Sequence, residues 1–423
     1  MGTIIKNGTV IFDGTKVKTD ILIRDGIIAA IEAGIKAEES DEIIDAEGKT
    51  VCYGLTDVHV HLRVPGRPDK ETIASGSAAA AAGGYTCVCA MPNLSPVPDS
   101  PENIAIEQEL IDRDAIIDVR PYAAITKGRK GEELVDIKAL KDKAVAFSDD
   151  GSGVQTAEMM RLAMEKAAEE DVLIAAHCEV NELLHGGYIH DGTYAKVHGH
   201  RGICSESEWA QVVRDLELSL QTGCRYHICH MSAAESVEAL RAAKAQGAKA
   251  SGETGPHYLI LSDADLQEEG RFKMNPPLRS ASDRDALIKG ILDGTIECIA
   301  TDHAPHTAEE KAKGLEGSAM GIVGLETAFP LLYTNLVEAG IISLEVLIKL
   351  MCDNPRRIFR IGGAMRVGEK ADLAIFDLNS EYSIDSREFK SKGKATPFEG
   401  WKVKGRCIRT IKDGKTVYKY GKA

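Results

Sequence analysis

The chain has 423 residues, 43% of them hydrophobic and 27% charged, with a formal net charge of −14. That length and apolar content exclude a disordered chain and suit one large body with a small satellite. The acidic balance speaks against a nucleic-acid partner, which needs clustered Lys and Arg. Ten cysteines are scattered, several in apolar runs such as Thr86-Cys87-Val88-Cys89-Ala90, and do not read as a disulfide framework. The start lacks the basic and apolar regions of a signal peptide, and no run approaches the roughly 18 apolar residues of a membrane span. The expectation is a cytoplasmic protein without a membrane partner.

Residues 1 to about 50 alternate polar and apolar, punctuated by Asn7-Gly8, Asp13-Gly14 and Asp25-Gly26, which is hairpin chemistry. The tail reads the same way around Ala371–Asp377 and Thr410–Val417, with Asp413-Gly414 as its turn. One small β-domain assembled from both ends, 1–50 plus 362–423, is the economical reading. The middle, 51–361, repeats a strand-then-helix rhythm. Strands are expected at 51–60, 84–91, 117–125, 143–149, 172–178, 224–231, 248–254 and 296–302. Helices are expected at 157–170, 206–221, 233–246 and 283–293, and long loops at 181–204 and 303–323. Alternating β and α implies parallel strands, and eight such units over about 250 residues fit a TIM-like (β/α)8 barrel. A doubly wound open sheet is the alternative, but no Gly-x-Gly-x-x-Gly turn follows the first strand.

In such a barrel the site forms where strands end. Strand one ends in His59-Val60-His61, strand four in Asp149-Asp150, strand five in His177, strand six in His230 and strand eight in Asp302-His303. His59 and His61, two apart on a strand, point to one face roughly 6–7 Å apart. Each piece alone has a plainer reading: His177 as a core histidine, Asp149-Asp150-Gly151 as a turn, Asp302 as a helix cap. Four strand-end histidines with two acids together suggest a metal site. Spacing leaves His227 competing with His230, and Asp149 with Asp150. Imidazole plus carboxylate suits Zn2+. Six ligands exceed one tetrahedral ion but serve a bridged pair, which lowers the pKa of a bound water towards ~7 and polarises a carbonyl. Metal-assisted hydrolysis, or its reverse, is the implied reaction.

The segment from Gly54 to Gly66, with Asp57-Val58-His59-Val60-His61-Leu62-Arg63-Val64-Pro65-Gly66, resembles the metal motif of the amidohydrolase superfamily, and its Leu-Arg-x-Pro-Gly ending resembles the dihydroorotase branch. Met91-Pro92-Asn93, Phe147–Gly151, Ala176–Glu179, His227–Ser232, Asn275–Arg279, Thr301–His306 and the segments at 354–359 and 368–377 extend the likeness over nearly the whole chain. The resemblance implies a zinc enzyme that interconverts N-carbamoyl-L-aspartate and dihydroorotate in pyrimidine synthesis. It implies His59 and His61 on one ion, His177 and His230 on a second, Asp150 between them as in a bacterial subgroup, and Asp302 as both ligand and proton carrier. It thus prefers His230 to His227 and Asp150 to Asp149. Substrate contacts would come from His61, Arg63, Asn93, Asn275, His306 and the backbone of Met320 and Gly321. Arg63, two residues after His61, would hold the substrate carboxylate if strand geometry persists. The expected assembly is a homodimer, with aspartate transcarbamoylase as a further partner. Hydantoinase- or allantoinase-like chemistry is the second enzyme reading, and a metal-free scaffold for a transcarbamoylase the third. The family usually carries an acid where this chain has Val64.

Overall fold

Asp25-Gly26 and Asp413-Gly414 reverse the chain as their backbone preferences dictate, with φ of 50°, 77°, 49° and 76°. They join Thr15–Arg24 to Ile27–Glu32 and Arg406–Lys412 to Lys415–Lys419. The computed structural model describes residues 2–12 and 14–421, so Asp13 of the Asp13-Gly14 pair lies outside the described residues. Asn7-Gly8 does not turn the chain. Both residues lie inside Thr3–Phe12, where pairing with Thr15–Arg24 slips between Ile5 and Gly8 and Asn7 takes φ 64°; the left-handed residue makes a bulge rather than a hairpin.

These strands belong to one eight-stranded sheet drawn from both ends of the chain. Its order is Lys415–Lys419, Arg406–Lys412, Leu373–Asp377, Thr50–Tyr53, Thr3–Phe12, Thr15–Arg24, Ile27–Glu32, with Glu42–Asp45 also beside Thr3–Phe12. The stretch 51–60, which reads as one strand, is two. Thr50–Tyr53 pairs with Leu373–Asp377, whereas Leu55–Val60 pairs with Tyr85–Ala90. The change of partner falls on Gly54, whose N–H goes to the Asp372 carbonyl at 2.8 Å while Leu55 N–H goes to Gly84 at 3.0 Å. A Cβ at residue 54 would sit 2.2 Å from the Thr86 side chain, so only glycine lets the chain pass from one sheet to the other here.

The strands of the middle of the chain are parallel, and a short antiparallel pair, Tyr382–Ser383 with Lys402–Val403, lies near its end. Leu55–Val60, Tyr85–Ala90 and Asp118–Pro121 form one group; Leu173–Ala176, Arg225–Ile228, Ala250–Thr254 and Cys298–Ile299 form another. Single parallel bridges, Ala123 to Phe147, Phe147 to Ile174 and Val60 to His303, link the groups on both sides. The strand expected at 143–149 thus survives as the bridges of Phe147, and that at 296–302 as Cys298–Ile299.

Helices return the chain between strands, several of them started by a residue that caps them. Thr156 accepts from Met159 N–H at the head of Ala157–Glu169, whose buried Met160, Ala163, Met164 and Ala167 follow the 3.6-residue period. Ser280 and Asp283 form a reciprocal cap on Ala281–Leu292. Glu206–Thr222 and Ala234–Ala245 lie within a residue of expectation. The long segments 181–204 and 303–323 carry short elements, including Thr193–His198 and Ala308–Lys311. All ten cysteines are free thiols and nine are buried; Cys89, Cys229 and Cys298 pack with Val58, Tyr122 and Ala175 as small core hydrophobes.

Candidate metal centre

His59 is wholly buried and His61 nearly so, just where Leu55–Val60 ends. Their ring centroids are 5.4 Å apart. His230 approaches His59 at 5.0 Å and His177 at 4.7 Å between centroids. Asp150 and Asp302 complete the group. Asp150 Oδ1 lies 3.3 Å from His59 Nε2, 3.7 Å from His177 Nδ1 and 3.8 Å from His230 Nε2. Asp302 Oδ1 lies 3.0 Å from His61 Nε2 and 3.5 Å from His59 Nε2. All six strand-end residues therefore share one buried volume: five form two trios that meet at His59, namely His59, His61, Asp302 and His59, Asp150, His230, and His177 joins them beside Asp150 and His230.

The two pairs that spacing leaves open part company in space. Asp149 is occupied elsewhere: its Oδ1 accepts from the backbone N–H of Ile125 at 2.8 Å and of Thr126 at 3.1 Å, and Oδ2 from the Thr126 hydroxyl. Asp150 is the one that faces the imidazoles. His227 lies across the register from Ser251, bonds its hydroxyl at 2.7 Å and reaches Glu253 at 3.1 Å. His230 turns inward on a backbone with φ 33°, and Asp302 (φ 47°) and Arg63 (φ 62°) share that rare left-handed conformation. Three strained non-glycine residues around one volume mark a place where side-chain direction outweighs local backbone preference.

The outer contacts decide which nitrogens face inward. Glu253, at the end of Ala250–Thr254, holds His59 Nδ1 at 2.7 Å and accepts from His230 N–H at 3.2 Å. Asn93 Oδ1 holds His61 Nδ1 at 2.8 Å. In the neutral rings, a proton on each Nδ1 leaves each Nε2 as a lone pair facing carboxylate oxygens. His59 Nε2 and Asp150 Oδ1 are buried with no hydrogen-bond partner, and Nδ1 of His177 meets Nε2 of His230 at 2.8 Å. Lone pairs converging on anionic oxygens repel unless a positive charge sits among them. Burial works against ionisation here, yet the carboxylates Asp150, Glu253 and Asp302 push His59 well above the usual imidazole range. Burial likewise fails to neutralise Asp302, which His59, His61 and His230 hold at about 2. The donor set fits cations, and it is the nitrogen–carboxylate set that zinc takes.

A third trio, His59, Cys229 and Glu253, has a different character. Glu253 already serves His59, His227 and the His230 backbone, and burial pushes the Cys229 thiol up to about 12, leaving it a thiol and a poor ligand. Glu253 escapes a search for histidines at strand ends, although the strand-end rule itself would have reached it. It is an outer brace of the kind that orients ligating imidazoles. Glu253→Gln keeps the shape but loses the charge facing His59, so metal affinity should fall about 10–100-fold, measurable by competition with a chelating dye. Unchanged affinity would show that His59 needs no such brace.

Beside this volume lie the other expected contacts. Arg63 is half-buried, donates from Nε to the Pro305 carbonyl at 3.2 Å and lies 3.4 Å from His306 Nε2. It does not continue the strand, which stops at Val60; its left-handed backbone sets its direction. His306 Nε2 bonds the Met320 carbonyl at 2.8 Å and Nδ1 receives Lys70 at 3.1 Å. Burial, with Arg63 and Lys70 nearby, lowers His306 to about 4, so it is neutral at pH 7. Asn275 donates to Glu179 at 2.7 Å, and its Oδ1 is buried without a partner. Gly321 has φ 134°, and a Cβ there would meet Ala304 O at 2.7 Å and His306 Nε2 at 3.0 Å. Val64 is buried, and nothing in the structure explains its replacing an acid.

Residues 48–236 match a family model described as dihydro-orotase-like. A curated dihydroorotase from Geobacillus sp. (strain WCH70) is 50% identical over 426 residues, covering 100% of each chain. One from Bacillus caldolyticus is 49% identical over 427 residues with the same coverage. Among solved structures, L-hydantoinase (dihydropyrimidinase) from Arthrobacter aurescens is similar with a TM-score of 0.89 at 28% identity, covering 100% of this chain and 97% of that one. Identity at half of the aligned positions over the full length, joined to the six-residue centre, places the chain in the dihydroorotase family of the amidohydrolase superfamily.

Proposed function

We propose that this chain is a zinc-dependent dihydroorotase, catalysing the reversible cyclisation of N-carbamoyl-L-aspartate to (S)-dihydroorotate, with loss of water, for pyrimidine synthesis. The observation that carries the metal reading is the convergence of imidazole nitrogens and the Asp150 and Asp302 carboxylates on one buried volume, with His59 Nε2 and Asp150 Oδ1 left without hydrogen-bond partners. In this reading residues 51–361 close as a (β/α)8 barrel, and 1–50 with 362–423 form a separate β-domain. His59, His61 and Asp302 would hold one zinc ion and His177 and His230 a second, with Asp150 a ligand for the pair. Bound zinc supplies a nucleophile at neutral pH and polarises the amide carbonyl.

The chain's own groups do the rest. Asp302 takes the proton released in attack and delivers it to the leaving ring nitrogen. Arg63 holds the substrate carboxylate, with His61 and the free amide N–H of Asn93 beside it. Neutral His306 adds an uncharged contact. Asn275 Oδ1 accepts the ring N–H, and the Met320–Gly321 backbone meets the ring carbonyl and amide. The same reading includes a homodimer that docks with an aspartate transcarbamoylase, tested by light scattering of each protein alone and mixed.

The purified protein should contain about two zinc ions per chain and open dihydroorotate, losing that activity on chelation and regaining it with added zinc. Elemental analysis and absorbance of dihydroorotate provide both measurements. Active protein without transition metal would sink the metal reading. Faster turnover of hydantoin than of dihydroorotate would sink the substrate reading.

A further inference from the structure

Lys311 closes the short helix Ala308–Lys311 and is buried, with 8% of its surface exposed. Its ammonium donates to three backbone carbonyls: Lys273 at 3.0 Å, Ala319 at 2.7 Å and Gly321 at 2.7 Å. All three of its N–H bonds are thereby used, and among the described residues no carboxylate forms an ion pair with it. A buried ammonium balanced only by peptide dipoles is an expensive way to hold a loop. Burial pulls it down to about 7, against the favour the three carbonyl dipoles show the charged form. The three acceptors are informative. Ala319 and Gly321 flank Met320, whose carbonyl receives His306, and Lys273 stands two residues before Asn275. Gly321 N–H also donates to the Lys273 carbonyl at 3.1 Å. The helix that follows His306 thus ends in a cation that gathers the segment around residue 320 and the segment around residue 274. A planar guanidinium fork does not match three acceptors spread around a point, whereas an ammonium does.

We propose that Lys311 is a positioning residue for substrate, bracing the Ala319–Gly321 backbone against the Lys273–Asn275 segment so that both close on the dihydroorotate ring. The proposal rests on the dihydroorotase reading and deepens it. Lys311 touches neither substrate nor the metal centre, and acts through the backbone it holds.

The test compares KM and kcat for dihydroorotate in wild type and Lys311→Ala, each with and without propylammonium, which replaces the atoms removed. Lys311→Ala should raise KM about tenfold or more with kcat within threefold, and propylammonium should restore KM while propanol does not. Unchanged KM, a fall in kcat alone, or equal rescue by propanol would overturn the proposal. Should Lys311→Ala fail to fold, Lys311→Gln keeps two N–H donors for three acceptors and should raise KM about threefold; an unchanged KM there overturns it too. Hydrogen exchange at the Gly321 amide gives a readout that needs no turnover. It should quicken about tenfold in either variant, and equal protection would overturn the brace. A wild type that does not open dihydroorotate sinks the functional reading instead, and leaves the exchange experiment to judge the brace alone.

Discussion

Replacing Asp302 by asparagine should lower kcat for dihydroorotate by about a hundredfold or more, with little change in KM. Asp302 turns Oδ1 to His61 Nε2 at 3.0 Å, which leaves Oδ2 for a substrate proton. Burial opposes its charge, but three imidazoles hold the carboxyl at about 2, so it enters hydrolysis as a base. An amide fills the same space and still offers one oxygen to the imidazoles. It cannot take up a proton at neutral pH. The comparison needs metal content beside kinetics, because loss of an ion would imitate loss of a base. Near-normal kcat in Asp302→Asn with metals retained would mean that another group carries the proton.

Arg63→Met should raise KM for dihydroorotate about a hundredfold while zinc content stays unchanged. The guanidinium is held from Nε by the Pro305 carbonyl, leaving its other N–H groups to clamp a carboxylate. Removing one side of a buried charged pair leaves the substrate anion desolvated without compensation, worth about 3 kcal/mol, or two decades. Methionine keeps most of the stem's volume, so packing survives the change. Hydantoin carries no carboxylate, and its turnover should hardly respond. An unchanged KM for dihydroorotate would remove Arg63 from the site.

Much of this architecture was readable before any coordinates, because periodicity and strand-end chemistry are local. His59-x-His61, the apolar run into His177 and the helix expected at 157–170 declare themselves over a few residues. What spacing and local pattern leave open depends on partners far away in the chain. Asp149 and Asp150 are chemically alike, and only the N–H groups of Ile125 and Thr126 separate them. His227 and His230 are told apart by Ser251 and Glu253, on the neighbouring strand. The direction of Arg63 follows from a left-handed backbone that strand alternation does not anticipate. Asn7-Gly8 carries every local mark of a hairpin and makes a bulge, since its strand continues to pair on either side. Lys311 looks like an ordinary surface lysine of a charged helix until its three carbonyls are seen.

The crossing at Gly54 reaches into the biogenesis of the enzyme. Thr50–Tyr53 can find its neighbour Leu373–Asp377 only once the whole stretch between them has been synthesised, and one residue later begins the strand that delivers His59 and His61. On the ribosome, the early hairpins and the first histidine strand must therefore wait, with an open edge, for a partner strand made much later. Contacts of such long range form slowly, and unpaired edges invite association with other chains. Cutting away the tail would thus not release a tidy catalytic core; it would leave the histidine strand tethered to an unfinished sheet.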